Sequence, residues 1–532
     1  MFKKLVMGAS ALALTAGTAY AQSAPNGQFG TGTAATNPFA APGVQTSVIV
    51  QNGGNNEATV DQSGGREGVS TINQDNSSDP DLGHVADVVQ SDFQGDPGPM
   101  FSTPNNESNI NQGGPGEGYA LVTQNGTSTT PPAGTNTVDI QQLNLTDNAG
   151  IVDARDRTGA VIGTEPFRFS AVAIAYQDGT GNAISIDQDG SSNDAEARQG
   201  DSGTPAINNS STIFQRDDGL ANNGMNTAFT DQEGSDNTSN VDQQRMGATA
   251  GEQLATVSQD GTGNNSDIVQ NTPEGGNQTA DVEQLGNAND SMIMQTHSED
   301  GENLAMVFQD GTGMLGNTSN ILQEDGFNTA DVSQTGEDNL SDVSQASLVN
   351  GSSGTFGRND AMVEQIGMGN SSYVVQLTQN TNEGETVADV SQNGNNNESQ
   401  VDQNTSDQGN QINVQTAMVE QIGSDNFSYV FQRGLTQTAE VSQDGSDLHS
   451  EVNQLTGDNN LADVDQSGSD NDSWIQQDGN GNDAFVTQSM SGNVSDIIQD
   501  GNNNLATVNQ TTATNYSFVD QLGNGNTATV TQ

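Results

Sequence analysis

Glutamine returns at every eleventh position along the last part of this chain: Gln466, Gln477, Gln488, Gln499, Gln510, Gln521 and Gln532 follow without a break. The stretch Asn480–Gln510, NGNDAFVTQSMSGNVSDIIQDGNNNLATVNQ, resolves into the seven-residue unit N-x-[A/S]-x-[V/I]-x-Q and a four-residue link that usually begins x-G. Counted from Gln45–Gln51 to Asn526–Gln532, the chain holds 36 such units. The specified positions are i, i+2, i+4 and i+6, and a period of two is that of a β-strand with one face fixed. The opposite face wanders among Asp, Thr, Ser, Glu and Met, as a solvated face does. Glycine in the link supplies the positive φ of a tight turn.

Composition alone points elsewhere. With 30% hydrophobic and 4% aromatic residues, 63 glycines and a net charge of −58, the chain reads as low-complexity and disordered, since so little apolar surface rarely offsets chain entropy. Disordered Asn/Gln tracts keep no register, and the register decides for order. Cysteine is absent, which excludes disulfides and thiolate metal sites.

A second regularity sets the architecture. The small residue alternates through Ala462, Ser473, Ala484, Ser495, Ala506, Ser517 and Ala528, so the true repeat is two strands. The expected fold is all-β, a β-solenoid with two strands per coil, one sheet carrying an Ala column and the other a Ser column. Thirty-six strands make about 18 coils over residues 45–532. Stacked at ~4.7–4.9 Å they form a rod roughly 85 Å long. Links after Ala strands hold to four residues from Gln232 onward, except between Gln309 and Asn317. Links after Ser strands reach 13 residues after Gln345, 11 after Gln403 and 28 after Gln142, the last being the insertion 143–170. One edge is therefore tight and the other carries loops.

In-register stacking explains the glutamine. Each amide lies one strand spacing from its copy and can donate to one coil while accepting from another, with Asn doing the same at the other end of the strand. The expected structural ladder in the last coils is Asn471, Gln477, Asn482, Gln488, Asn493, Gln499, Asn504, Gln510, Asn515, Gln521, Asn526 and Gln532. The expected core between is Ala484, Val486, Ser495, Ile497, Ala506, Val508, Ser517, Val519, Ala528 and Val530. One coil alone is too thin to fold without its neighbours.

Residues 1–21 read as a signal peptide: Lys3 and Lys4, an apolar stretch from Leu5 to Ala16, and the small-x-small site Ala19-Tyr20-Ala21. No segment reaches the length of a transmembrane helix, so no membrane insertion is expected. Removal of residues 1–21 leaves 9 arginines against 69 acids, a surface that repels nucleic acid and anionic membrane. Residues 22–44 lie outside the repeats and read as a flexible N-terminal segment with room for an export signal. The sequence ends on an unaltered unit, Asn526–Gln532, and a solenoid edge without a cap is a template for another copy.

No catalytic, cofactor or metal site is expected. His84, His297 and His449 are scattered, and no nucleophile–base pair or His-rich cluster is present. His84 replaces a ladder Asn, which suits a hydrogen-bonded structural role. Trp474 falls on an outward position. The insertion 143–170 holds Arg155, Arg157 and Arg168, and GIVDARDRTGAVIG within it reads as a small hairpin. On the outward face of the Ala sheet, Asp281, Met306, Asp331, Met362, Asp389 and Met418 alternate on successive coils, which spaces the charge.

These residues resemble the curlin repeat, S-x5-Q-x-G-x2-N-x-A-x3-Q. Gln477, Gly479, Asn482, Ala484 and Gln488 match its second part, as do Gln499, Gly501, Asn504, Ala506 and Gln510. The family's leading Ser falls where this chain has Asn471, with Ser473 two places on. The resemblance covers about residues 45–532 and implies a curli-type functional amyloid subunit, unusually long: a secreted, self-assembling structural protein of a bacterial biofilm matrix or adhesive fibre, not an enzyme. It implies export through the periplasm and a dedicated outer-membrane secretion pore to the cell surface or extracellular matrix, a nucleator, and homopolymer growth through the solenoid ends. The alternative is a non-polymerising cell-surface adhesin or binding rod whose loop-bearing edge recognises a partner.

Overall fold

The computed structural model describes residues 30–33, 46–62, 68–76, 83–92, 106–126, 135–145, 152–153, 168–190, 192–200, 206–217, 225–245, 251–272, 276–296, 301–311, 313–348, 357–379, 384–405 and 414–532. The signal peptide assigned to 1–21 lies outside them. All secondary structure among the described residues is β, and each of the 36 repeat units is a strand. The chain divides into two compact units, Met1–Gly275 and Gly276–Gln532.

Each unit is a two-strand-per-coil β-solenoid. In the first, Ser-type strands from Thr46–Asn52 to Asn265–Thr272 form one parallel sheet, and Ala-type strands from Glu57–Asp61 to Glu252–Thr262 form the other. In the second, Ala-type strands run from Asn277–Asn287 to Thr527–Thr531 and Ser-type strands from Asp290–Thr296 to Tyr516–Leu522. Neighbours in each sheet are two units apart in sequence, and identical residues face one another. Ala462 pairs with Ala484, Ala484 with Ala506, and Ser473 with Ser495.

Burial alternates residue by residue, as period two requires. Along Asn460–Ser469, the residues Asn460, Ala462, Val464 and Gln466 are inside while Leu461, Asp463 and Asp465 are not. Slipping the register by one residue would put the whole polar face inside, so the pattern fixes it.

The Ala strands of the second unit from Asn277–Asn287 to Asn460–Ser469 run past their glutamine. Phe327–Glu337 spans 11 residues, because the tight link stacks in register as well: Gly311 pairs with Gly336, and Gly336 with Gly367. Gly336 has φ +121°, and a Cβ there would lie 1.8 Å from the Gly367 carbonyl oxygen. Another feature of this turn escaped the sequence reading. The residue just before the ladder Asn also takes a left-handed conformation, at φ 57° for Asp236, 56° for Asp338, 55° for Asn396 and 55° for Asp470. Asp and Asn tolerate this region better than other non-glycine residues, which is the signal that could have shown it.

Four strands lie outside the repeat. Gly30–Thr33, within the segment 22–44, pairs antiparallel with Thr46–Asn52 along the N-terminal edge of the Ser sheet. Inside the 143–170 insertion, Val152–Asp153 pairs antiparallel with Arg168–Phe169; Arg155 and Arg157 lie outside the described residues. Ala206–Ile207 resumes the ladder after the excursion that follows Gln199, pairing parallel with Gly179 and Thr180.

Candidate functional site

The features that repeat on every coil are the polar ladders, and the glutamines carry the most regular of them. Gln466 Nε2 donates to Gln488 Oε1 at 2.8 Å, Gln488 to Gln510 at 2.9 Å, and Gln510 to Gln532 at 3.0 Å. The Ser sheet repeats this from Gln454 to Gln477 at 2.9 Å, Gln477 to Gln499 at 3.0 Å and Gln499 to Gln521 at 2.9 Å. The first unit does the same, for example from Gln188 to Gln215 and Gln215 to Gln243, both at 2.8 Å. Each of these glutamine-to-glutamine bonds donates toward the C-terminal coil.

The second N–H of each amide works across the core. Gln488 donates to the Asp472 carbonyl at 2.9 Å, Gln499 to Asp483 at 2.9 Å and Gln510 to Val494 at 3.0 Å. Each acceptor lies 16 residues back, at the start of the opposite strand of the same coil. One amide thus joins successive coils and also clamps the two sheets together, a transverse bond the period alone does not reveal. Buried and fully hydrogen-bonded, it avoids the desolvation penalty of a lone polar group.

Asparagine works differently from glutamine. Asn482 Oδ1 accepts the backbone N–H of Asn504 at 3.1 Å, and Asn504 Oδ1 accepts that of Asn526 at 3.0 Å. The Asn482 amide donates to the Asp478 carbonyl at 3.2 Å and the Gly501 carbonyl at 2.9 Å, closing its own link and tying it to the next. Amide-to-amide contact is added in some coils, as from Asn504 to Asn482 at 3.1 Å. In the Ser sheet, Asn471 Oδ1 accepts from Asn493 N at 3.0 Å and Asn493 Oδ1 from Asn515 N at 3.0 Å.

His84 shows what this position needs. Its backbone N–H donates to Asn56 Oδ1 at 3.0 Å, and its Nδ1 accepts the Gly118 N–H at 3.2 Å. The ring performs the task of the Asn oxygen, and burial lowers its pKa so that the neutral, accepting form persists. His449 is different: outward and half-buried, it bonds Asp472 at 2.9 Å, which raises its pKa. His297 lies outside the described residues.

The core residues lie where the alternation puts them. Ala484, Ile497 and Ala506 are fully buried, Val486 and Val508 are 1% exposed, and Ser495 is inside. Ser517, Val519 and Gln521 are nearly so. In the last strand Ala528 and Val530 are half-buried, and Asn526 and Gln532 are exposed. Most of the Ser column is not self-satisfying. The hydroxyls of Ser399, Ser428, Ser450 and Ser473 are buried without a hydrogen-bond partner, whereas at the C-terminal end of the column Ser517 Oγ donates to Ser495 Oγ at 3.3 Å. Ser211 identifies what they face: its Oγ lies 2.7 Å from Thr230, which occupies the Val position of the Ala sheet.

A buried ion pair also escaped the sequence reading. Arg245 and Asp217, each 1% exposed and paired in register, lie 2.5 Å apart, and Arg245 also donates to the Gly251 carbonyl at 3.3 Å. Both stand two residues past a ladder Gln, where the pattern specifies nothing.

Among the described residues no group of three or more His, Cys, Asp or Glu side chains is placed to hold a metal ion, and no helix is long and apolar enough to cross a membrane. The outward Ala face is acidic. Asp281, Asp331, Asp389 and Asp463 all have raised pKa values, chiefly from partial burial, with Glu364 adding to Asp389 and Glu440 and Asp465 to Asp463.

Comparison with known proteins agrees with this geometry. No curated protein matches the chain. The family model of the curlin associated repeat matches residues 457–489 and 501–532, the coils with unbroken eleven-residue spacing. The same Gln ladder and Ala and Ser columns continue through both units beyond the matched residues. Over those residues the chain is similar to the curlin associated repeat, a similarity that points to an amyloid-like structural subunit.

Proposed function

We propose that this protein is a secreted structural subunit that polymerises into curli-like amyloid fibres of a bacterial biofilm matrix or adhesive layer. The observation that carries this reading is the polarity of the ladders. The C-terminal side of a coil offers Gln N–H donors and Asn carbonyl acceptors; the N-terminal side offers Gln acceptors and Asn backbone donors. Any coil therefore complements the next copy's coil in one direction and one register, the condition for an in-register cross-β stack. Self-association through coil edges gives a homopolymer, and an outer-membrane pore and a nucleator belong to the same reading. Residues 1–21 serve as signal peptide and the segment 22–44 as export signal. Among the described residues the repeats fill the interior with side chains.

Negative-stain microscopy of purified protein lacking residues 1–21, followed over days at tens of micromolar and pH 4–5, tests the proposal. Unbranched filaments are the expected result. A protein that stays monomeric favours the non-polymerising adhesin.

A further inference from the structure

The two outward faces of the second unit differ chemically. On the Ser sheet, the position between Ser and the aliphatic residue reads Tyr373, Gln400, Tyr429, Glu451, Trp474, Asp496 and Phe518, joined strand to strand in register. An aromatic ring thus alternates with a polar or acidic side chain on seven successive strands. The neighbouring strand positions widen the platform: Phe427 and Phe431 flank Tyr429 on one strand, and the Phe427 ring stacks on His449 at 5.0 Å and 7°. Over the facing coils the Ala sheet presents Asp389, Met418, Glu440 and Asp463 at the matching position. The aromatic rings are open to solvent to different degrees, with Phe518 54% exposed and Trp474 and Tyr429 half-buried.

Spacing and charge decide what suits such a face. Rings on alternate strands lie ~9.4–9.8 Å apart, and the column from Tyr373 to Phe518 extends ~28–29 Å. That is a linear track and not a pocket, so it suits a polymer. A fully extended β-linked glucan presents one flat apolar ring face to each aromatic at about every second sugar. The C–H face of a pyranose is apolar and slightly positive, which complements the negative face of an aromatic ring. The interleaved Gln400, Glu451 and Asp496 are placed to bond sugar hydroxyls. Asp496 already accepts the Tyr516 hydroxyl at 3.1 Å. A second copy of this chain would bring acids onto acids at a net charge of −58, and nucleic acid is repelled for the same reason. A neutral glycan meets no such repulsion.

We propose that the aromatic column Tyr373–Tyr429–Trp474–Phe518 binds an uncharged, extended β-1,4-linked polysaccharide along the outer face of the Ser sheet. This is independent of fibre formation, since the whole column lies within one unit of one chain. Trp474 is the only tryptophan of the protein, so its emission reports on this site alone.

The test is titration of freshly purified, unassembled full-length protein with cellohexaose, read by Trp474 emission with light scattering recorded in parallel. A saturable emission shift without added scattering is expected. Tyr429→Ala should weaken the apparent affinity at least about tenfold, whereas Phe485→Ala, outward on the Ala sheet, should leave it unchanged. No emission change at millimolar sugar, equal weakening by both variants, or an equal response to α-linked dextran overturns the proposal. An emission change that appears only together with rising scattering also overturns it and makes a second copy the occupant.

Discussion

A single ladder side chain shows how this chain stays ordered with so few apolar residues. Gln488 is fully buried, yet both its N–H groups and its oxygen are bonded, to Gln510, Asp472 and Gln466. Replacing such a group by a charge should be costly, because nothing inside the coil compensates it. Val508→Asp and Gln510→Lys should each lower stability by several kcal/mol and abolish assembly, while Thr507→Asp, one residue away and outward, should change stability by about 0.5 kcal/mol or less. Denaturant midpoints of the three variants check this, and equal shifts at 507 and 508 would mean that the faces are assigned one residue out. The Ser column gives the opposite prediction. Because the Ser450 hydroxyl is buried without a partner, Ser450→Ala should be neutral or stabilising by up to about 1 kcal/mol, measured in the same way. A marked loss of stability would show a hydrogen bond that the geometry does not contain.

At the scale of strands and turns, legibility followed repetition. The strands, their inward faces and their division into Ala and Ser sheets could be read because each rule recurs on dozens of units, so chance matches drop out. The transverse Gln bond could not be read, since it links residues 16 apart whose identities vary: Asp472, Asp483 and Val494 all serve through their carbonyls. The Asn position does form amide-to-amide bonds in some coils, as from Asn504 to Asn482, but its bond to the next coil's backbone is not legible in the period, and His84, which keeps an acceptor there, exposes that requirement. Single events are the least legible. The Arg245–Asp217 pair occurs once, at positions with no rule. Since the lone charge left by truncation stays buried, Arg245→Met should destabilise the first unit by roughly 3–5 kcal/mol. The double change with Asp217→Leu should recover much of that loss, as thermal unfolding would show; equal midpoints for single and double variants would mean that the pair is not coupled. Turn glycines behave as a column as well. Gly336→Ala faces both a left-handed φ and the Gly367 carbonyl and should cost more than the ~1 kcal/mol of an ordinary glycine replacement.

For the molecule as a whole, charge opposes the stack that the ladders favour. At −58, copies repel one another at neutral pH. Asp281, Asp331, Asp389 and Asp463 have pKa values raised above the ordinary 3.8, mainly by partial burial. A carboxyl with a raised folded-state pKa binds more protons folded than unfolded, so stability increases as pH falls through the folded value and the gain is complete below the unfolded one. Alternation with Met306, Met362 and Met418 spreads these charges to ~9.4–9.8 Å, beyond the ~8 Å screening length at physiological salt, but Glu440 and Asp463 break the pattern on adjacent strands. Assembly half-times followed by dye fluorescence should therefore shorten from pH 7 toward pH 4; rates that are flat or increase with pH would remove surface acidity as the control. The most direct test of the central claim, that these coils extend from one copy to the next as an in-register parallel stack, is X-ray fibre diffraction of material grown from the purified protein at pH 4–5. The account predicts a meridional reflection near ~4.7–4.8 Å with an equatorial one near ~10 Å, and a meridional spacing absent from ordered fibres, or no fibres at all, would contradict it.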